Sequence, residues 1–134
     1  MKMNPGVKKA WLRGLRSGRY RQGLGRLRSK EWKHCCLGIL CELYHDDHPI
    51  SSEWFLADPD NLGWNFAVNG DDDFSSLELP REVYLWAGVD GFNPEIVTLI
   101  DREGEEVTWT ASMLNDDESG FTFDRIADMI DHFL

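Results

Sequence analysis

Val7, Ala10, Trp11 and Leu15 recur at the spacing of one helical face, and Asn4-Pro5 ahead of them couples a capping residue to proline at the first helical position. This pattern predicts a helix that Gly18 ends. Residues 35 to 44, "CCLGILCELY", are nearly all apolar and good helix formers, so they predict a short helix buried on most sides that leaves through His45 to Pro49. Two aromatic runs follow, Trp54 to Ala57 and Trp64 to Val68, separated by the turn formers Asp58-Pro59-Asp60-Asn61 and Gly63; they predict a hairpin or two edge strands. Leu79-Pro80 introduces a helix through about Ala87, with Val83, Trp86 and Ala87 on one face and Gly88 as a stop. Ile96 to Ile100 and Val107 to Thr110 are rich in β-branched residues, and the polar "DREGEE" between them predicts a second hairpin. Thr122 then caps a closing helix whose face carries Phe123, Ile126, Ala127, Ile130 and Phe133.

With no repeat, linker or low-complexity tract in 134 residues, these elements predict a single α+β domain of two to four helices packed on short antiparallel strands or hairpins. Charge divides that domain. Residues 1 to 34 carry a net +10 and residues 35 to 134 a net −20, a basic N-terminal helix and loop against an acidic α+β body. The two parts attract, which predicts carboxylate contacts for some of Arg19, Arg21, Arg26 and Arg28, made within one molecule or between the subunits of a homo-oligomer. Gly18, Gly23 and Gly25 among these arginines predict an irregular or hairpin-like loop, without the Gly-x-x-x-x-Gly-Lys-Ser/Thr pattern of a phosphate loop. No signal-peptide-like stretch follows the basic start, and nowhere do about 18 apolar residues run together. The expectation is a cytoplasmic protein without a membrane partner, its odd number of cysteines present as thiols.

The segment "KHCCLGILCELYHDDH", residues 33 to 48, holds all three cysteines and three of the four histidines. A zinc site would take Cys41 and His45, four apart on one helical face, with His48 and either Cys36 or His34. The absence of a Cys-x-x-Cys pair and the apolar surroundings favour core instead, and they disfavour a nucleophilic thiol as well. "NDDESGFTFDRI" places Asn115, Asp117, Ser119 and Gly120 at calcium-loop positions but ends on Ile126 where a bidentate glutamate belongs, so a helix-capping turn is expected. Asp71 and Asp73 in "NGDDDF" lack a histidine or second partner to make a hydrolytic site. No coherent nucleophile, base and oxyanion donor emerges, which predicts a protein that is not an enzyme and needs no cofactor or metal. The basic segment, with Trp11, Tyr20 and Trp32 interleaved, has the composition of a surface that meets phosphates and stacks bases, although the acidic total disfavours nucleic acid.

Four segments, "WLRGLRSGRYRQGLGRLR" (11 to 28), "HCCLGILCELY" (34 to 44), "LPREVYLWAG" (79 to 88) and "LNDDESGFTFDRIADMID" (114 to 131), together resemble a family of small bacteriophage and prophage proteins of unknown function. Members of that family often carry tyrosine where this chain has His34, which argues against that histidine as a ligand. The resemblance implies a phage setting. In that setting the expected function is a non-enzymatic binding protein that inhibits a bacterial defence system, in the manner of an anti-CRISPR or other anti-defence protein, by stoichiometric binding to a host protein. Trp54, Phe55, Trp64 and Phe66 are the expected aromatic contacts. The alternative is a sponge or sensor for a nucleotide-like phosphorylated signal, held by Arg19, Tyr20, Arg21, Arg26 and Arg28.

Overall fold

Asn4 and Thr122, the two side chains expected to cap helices, both do so in the computed structural model, which describes residues 3–56, 63–70, 75–117 and 121–134. The Asn4 Oδ1 accepts from the Gly6 and Val7 N–H groups at the start of α1 (Pro5–Arg16), and the Thr122 Oγ1 accepts from Arg125 N–H at the start of α5 (Phe123–Phe133). Each satisfies donors that the first turn of a helix leaves open. Between these helices lie β1 (Arg21–Gln22), β2 (Lys33–His34), α2 (Cys36–Asp47), β3 (Ser52–Phe55), β4 (Asn65–Val68), α3 (Arg81–Ala87), β5 (Glu95–Ile100), β6 (Glu106–Thr110) and α4 (Ala111–Asp116). Gly88 stops α3 in the left-handed region at φ 74°, where glycine pays no Cβ penalty.

The fold is α+β, with five helices among the described residues. β3 pairs with β4 and β5 with β6, both antiparallel; Trp54 faces Phe66, and the Thr98 and Thr108 hydroxyls bond across the second hairpin at 2.9 Å. β1 and β2 were not expected as strands: they pair in parallel, Arg21 opposite Lys33 and Gln22 opposite His34. Two residues per strand give too little hydrophobic alternation to reveal such a pair in sequence. α4 was not expected either, because six residues are less than two turns and show no period.

α2 is the centre of the molecule. Residues 36 to 41 are buried all around it, α1 crosses one side, and α3, α4 and β3 pack on others. Its N-cap residue, Cys35, makes no side-chain cap. Asn115 on α4 does that from a distance: its Oδ1 accepts from Cys36 N–H at 3.1 Å while its Nδ2 donates to the Gly23 carbonyl at 2.8 Å. Asn115, the first position of the calcium loop that the sequence argued against, is a buried amide engaged on both sides and so is not free to ligate an ion; residues 118 to 120 of that loop, like 57 to 62 and 71 to 74, lie outside the described residues. The charge division takes a definite form as well. Arg16 of α1 reaches Asp128 at 2.8 Å and Asp131 at 3.7 Å on α5, joining the basic first helix to the acidic last one.

Candidate functional site

The chain after β1 passes under α2 and turns back on itself between Arg28 and His34. Trp32 N–H bonds the Ser29 carbonyl at 3.0 Å, Ser29 N–H bonds the Lys33 carbonyl at 2.8 Å, and Arg28 then bridges His34 in antiparallel fashion. This reversal puts Trp32 at φ 63°, a left-handed conformation that costs a bulky residue about 1 to 2 kcal/mol. On the other flank Trp64 N–H bonds the Arg28 carbonyl at 2.9 Å, which seats Trp64 beside the same residue.

The consequence is a cage. The Arg28 guanidinium lies 4.2 Å from the Trp32 ring centre, 4.3 Å from that of Trp54 and 4.4 Å from that of Trp64. Its side chain is 6% exposed. A guanidinium is weakly hydrated and planar, so it stacks on aromatic faces at far lower cost than an ammonium would. Beneath it stands Glu42, the one charged residue in the apolar run 35 to 44. Its Oε1 faces Arg28 at 3.5 Å and also accepts from Trp54 Nε1, while its Oε2 faces His34 Nε2 at 3.2 Å. Tyr20 packs edge-on against His34 at 5.0 Å. Two buried nitrogens, Arg28 Nε and His34 Nδ1, have no hydrogen-bond partner among the described residues.

Burial works against the charge of Glu42, yet its carboxyl is held below the ordinary range, because the His34 hydrogen bond, the charges of His34 and Arg28, and the Trp54 N–H together favour the carboxylate. A carboxylate depressed on folding contributes stability that is complete above its unfolded value, near pH 4.5, and is lost as pH falls through the folded value. The melting temperature of the parent is therefore expected to fall more steeply below about pH 4.5 than that of a Glu42→Gln variant. Parallel acid limbs in calorimetry would show that Glu42 is not linked to folding.

Of the residues singled out in sequence, Arg28, Trp54 and Trp64 meet in the cage, and Tyr20 lines the adjoining His34. Arg19 and Arg21 are exposed; the Arg19 guanidinium lies 5.6 Å from the Tyr20 ring, and Arg21 donates to the Glu31 carbonyl at 2.8 Å. Arg26 lies partly buried across Gly63, and Phe55 is half-buried. Phe66 corrects the expectation of a surface contact: it is fully buried, packed on Trp54 with ring centres 4.8 Å apart. Trp11 is likewise core, its indole N–H bonded to the Cys36 carbonyl at 2.8 Å. Glu42 was missed as a member of a site, and His34 was weighed only as a zinc ligand. A lone carboxylate inside an apolar helix was the signal that a buried cation would have to meet it.

Among the described residues neither the metal nor the nucleophile reading finds a geometry. His45 Nδ1 bonds Ser52 Oγ at 2.9 Å, and that hydroxyl in turn donates to the His48 carbonyl at 2.6 Å, so its proton points away from the imidazole. His48 stacks on Tyr44. No group of three His, Cys, Asp or Glu among the described residues is placed to hold a metal. Burial pushes the Cys35 thiol up to about 11 and also raises Cys36 and Cys41 well above the ordinary thiol range. All three thiols are expected to resist a disulfide reagent at pH 8 in the folded protein and to react together once it is unfolded, as counted by the released chromophore. Rapid modification of one thiol in the native state would contradict this.

No described helix is long and apolar enough to cross a membrane. Neither a curated protein nor a solved structure matches the chain. The model of one family, described as a domain of unknown function (DUF8296), matches residues 3–134, and the chain belongs to that family.

Proposed function

We propose that this protein is a non-enzymatic binding protein that engages a host protein stoichiometrically, inhibiting a bacterial defence system from the cytoplasm of the infected cell. The phage setting comes from the four segments quoted above. The observation that carries the binding role is Trp32, which is 56% exposed although it sits in a strained turn and forms the outer wall of the cage. A tryptophan held rigidly over a buried cation, with Trp64 tilted beside it at 5.6 Å, is a large aromatic anchor that loses little side-chain entropy on binding. Arg21 and Lys33, paired across β1 and β2 and both exposed, stand close by in the same fold of chain. Their charge favours a partner that presents an apolar recess rimmed by carboxylates.

The alternative, a nucleotide-like ligand, has less support, because Arg28 is turned inward onto Glu42 and cannot meet a phosphate. Exposed Arg19 and Arg21, with partly buried Arg26, make a thin phosphate site. Trp32→Ala is expected to weaken target binding about 30-fold or more, the loss typical of a central aromatic anchor, while leaving the melting temperature within a few degrees. The measurement is titration calorimetry against the defence component that the tagged parent captures from infected host cells. Equal affinity of parent and variant for that component, or stabilisation by a nucleotide in place of any protein partner, would sink the reading.

A further inference from the structure

A groove runs along α1 beside the end of α5. Pro5, Lys8, Lys9, Leu12, Arg13 and Arg16 line it as one stripe of α1, and Asp131 of α5 closes the far side. Pro5 and Leu12 give it an apolar floor, and four cations surround that floor. Two of the four are used within the molecule. Lys8 Nζ donates to the Asp131 carbonyl at 3.1 Å, and Arg16 holds the Asp128 and Asp131 carboxylates at 2.8 and 3.7 Å. Lys9 and Arg13, both exposed and four residues apart, make no ion pair among the described residues. In a chain with 24 acidic residues against 14 Lys and Arg, the fold leaves these two neighbouring cations unanswered beside an apolar floor. Carboxylates from outside the molecule are their complement.

We infer that this groove docks an acidic amphipathic helix of a partner protein. The match is one of charge and spacing. Two carboxylate residues four apart on a helix stand about 6 Å from each other, the same separation that Lys9 and Arg13 have on α1. A helix laid alongside α1 therefore meets both cations at once, while an apolar residue between its two acids reaches Leu12 and Pro5. The neighbouring helix excludes broader anions. Asp124, Asp128 and Asp131 are all exposed along α5, so an anionic membrane or a nucleic-acid duplex wide enough to cover both helices would set its own charge against that ridge. A single helix, about 10 Å across, occupies the basic side alone. Trp32 does not line the groove, so docking here is separate from the anchor proposed above.

Fluorescence anisotropy on the full chain tests this with a labelled synthetic helix of about four turns that carries glutamates four apart on either side of a leucine. The parent is expected to bind it about 10-fold or more tightly than the analogue with glutamines in place of the glutamates, and more tightly than phosphatidylserine vesicles or a DNA duplex. Lys9→Glu/Arg13→Glu, first checked for parent-like circular dichroism and cooperative melting, is expected to weaken binding about 10-fold or more, and Lys9→Gln/Arg13→Gln by a smaller factor in the same direction. Arg81→Glu/Arg102→Glu makes the same change in net charge at two exposed arginines that do not line the groove, and is expected to stay within about 3-fold of the parent. A parent that does not bind the glutamate helix overturns the inference. So does an equal loss in the two charge-reversed variants, which would assign the attraction to overall charge, or tighter binding of the parent to vesicles or duplex. None of these results touches the affinity measured for Trp32→Ala, so the two proposals fail separately.

Discussion

Gly38→Ala is expected to destabilise the protein by more than about 3 kcal/mol, enough to leave much of it unfolded at 37 °C, although the same change in an exposed helix would stabilise it by roughly 1 kcal/mol. The reason is where α2 crosses the chain beneath it. A Cβ built on Gly38 would lie 1.8 Å from the Leu27 carbonyl oxygen and 2.7 Å from its carbon, and those are backbone atoms with no rotamer to yield. Leu27 is itself fully buried and precedes Arg28, so relief by moving that segment would pull the cage apart. The cost of overpacking is therefore paid either as strain or as loss of the Arg28 contacts. Chemical denaturation followed by circular dichroism reads the change directly; a Gly38→Ala variant as stable as the parent would show that α2 does not lie against Leu27.

Arg28→Ala is expected to cost about 3 kcal/mol, which for a chain of this size lowers the melting temperature by about 10 °C. Burial pulls the arginine below its ordinary value, and Glu42 compensates only in part, so the ion pair alone does not repay the desolvation of the guanidinium. Three aromatic faces at 4.2 to 4.4 Å supply the difference. Truncation removes those contacts, opens a cavity between three indoles and leaves Glu42 with a smaller set of partners. Arg28→Lys is expected to recover less than half of the loss, since an ammonium keeps the charge but cannot stack as a plane. The double variant Arg28→Met/Glu42→Gln is expected to recover most of it, because neither charge is then left buried alone. Calorimetry of the three variants decides the matter. Should Arg28→Ala and Arg28→Lys both lie within about 0.5 kcal/mol of the parent, the cage contributes nothing to the fold.

The local elements were legible in the order of residues because their causes are local. Asn4-Pro5 and Thr122 cap helices with their own side chains, Gly88 stops one through its own backbone freedom, and the β-branched runs at 96 to 100 and 107 to 110 pair through a short turn between them. The apolar run 35 to 44 announced a buried helix, and α2 is that helix, extended to Asp47 by the polar residues that follow.

What the tertiary structure decided concerns atoms brought together from far apart in sequence. Arginine is by composition a surface residue, and in a run with Arg19, Arg21 and Arg26 nothing marks Arg28 as different. Its burial follows from a reversal at Trp32, a carboxylate 14 residues on and two tryptophans from the next hairpin. The cap of α2 comes from Asn115, 79 residues away, where sequence alone offered only a local loop. Gly38, unremarked in the sequence, is the place where the Leu27 backbone passes against α2. In each case the local preference is worth about 1 kcal/mol or less, whereas burying or excluding a single group in the assembled core is worth several, so the assembled core prevails.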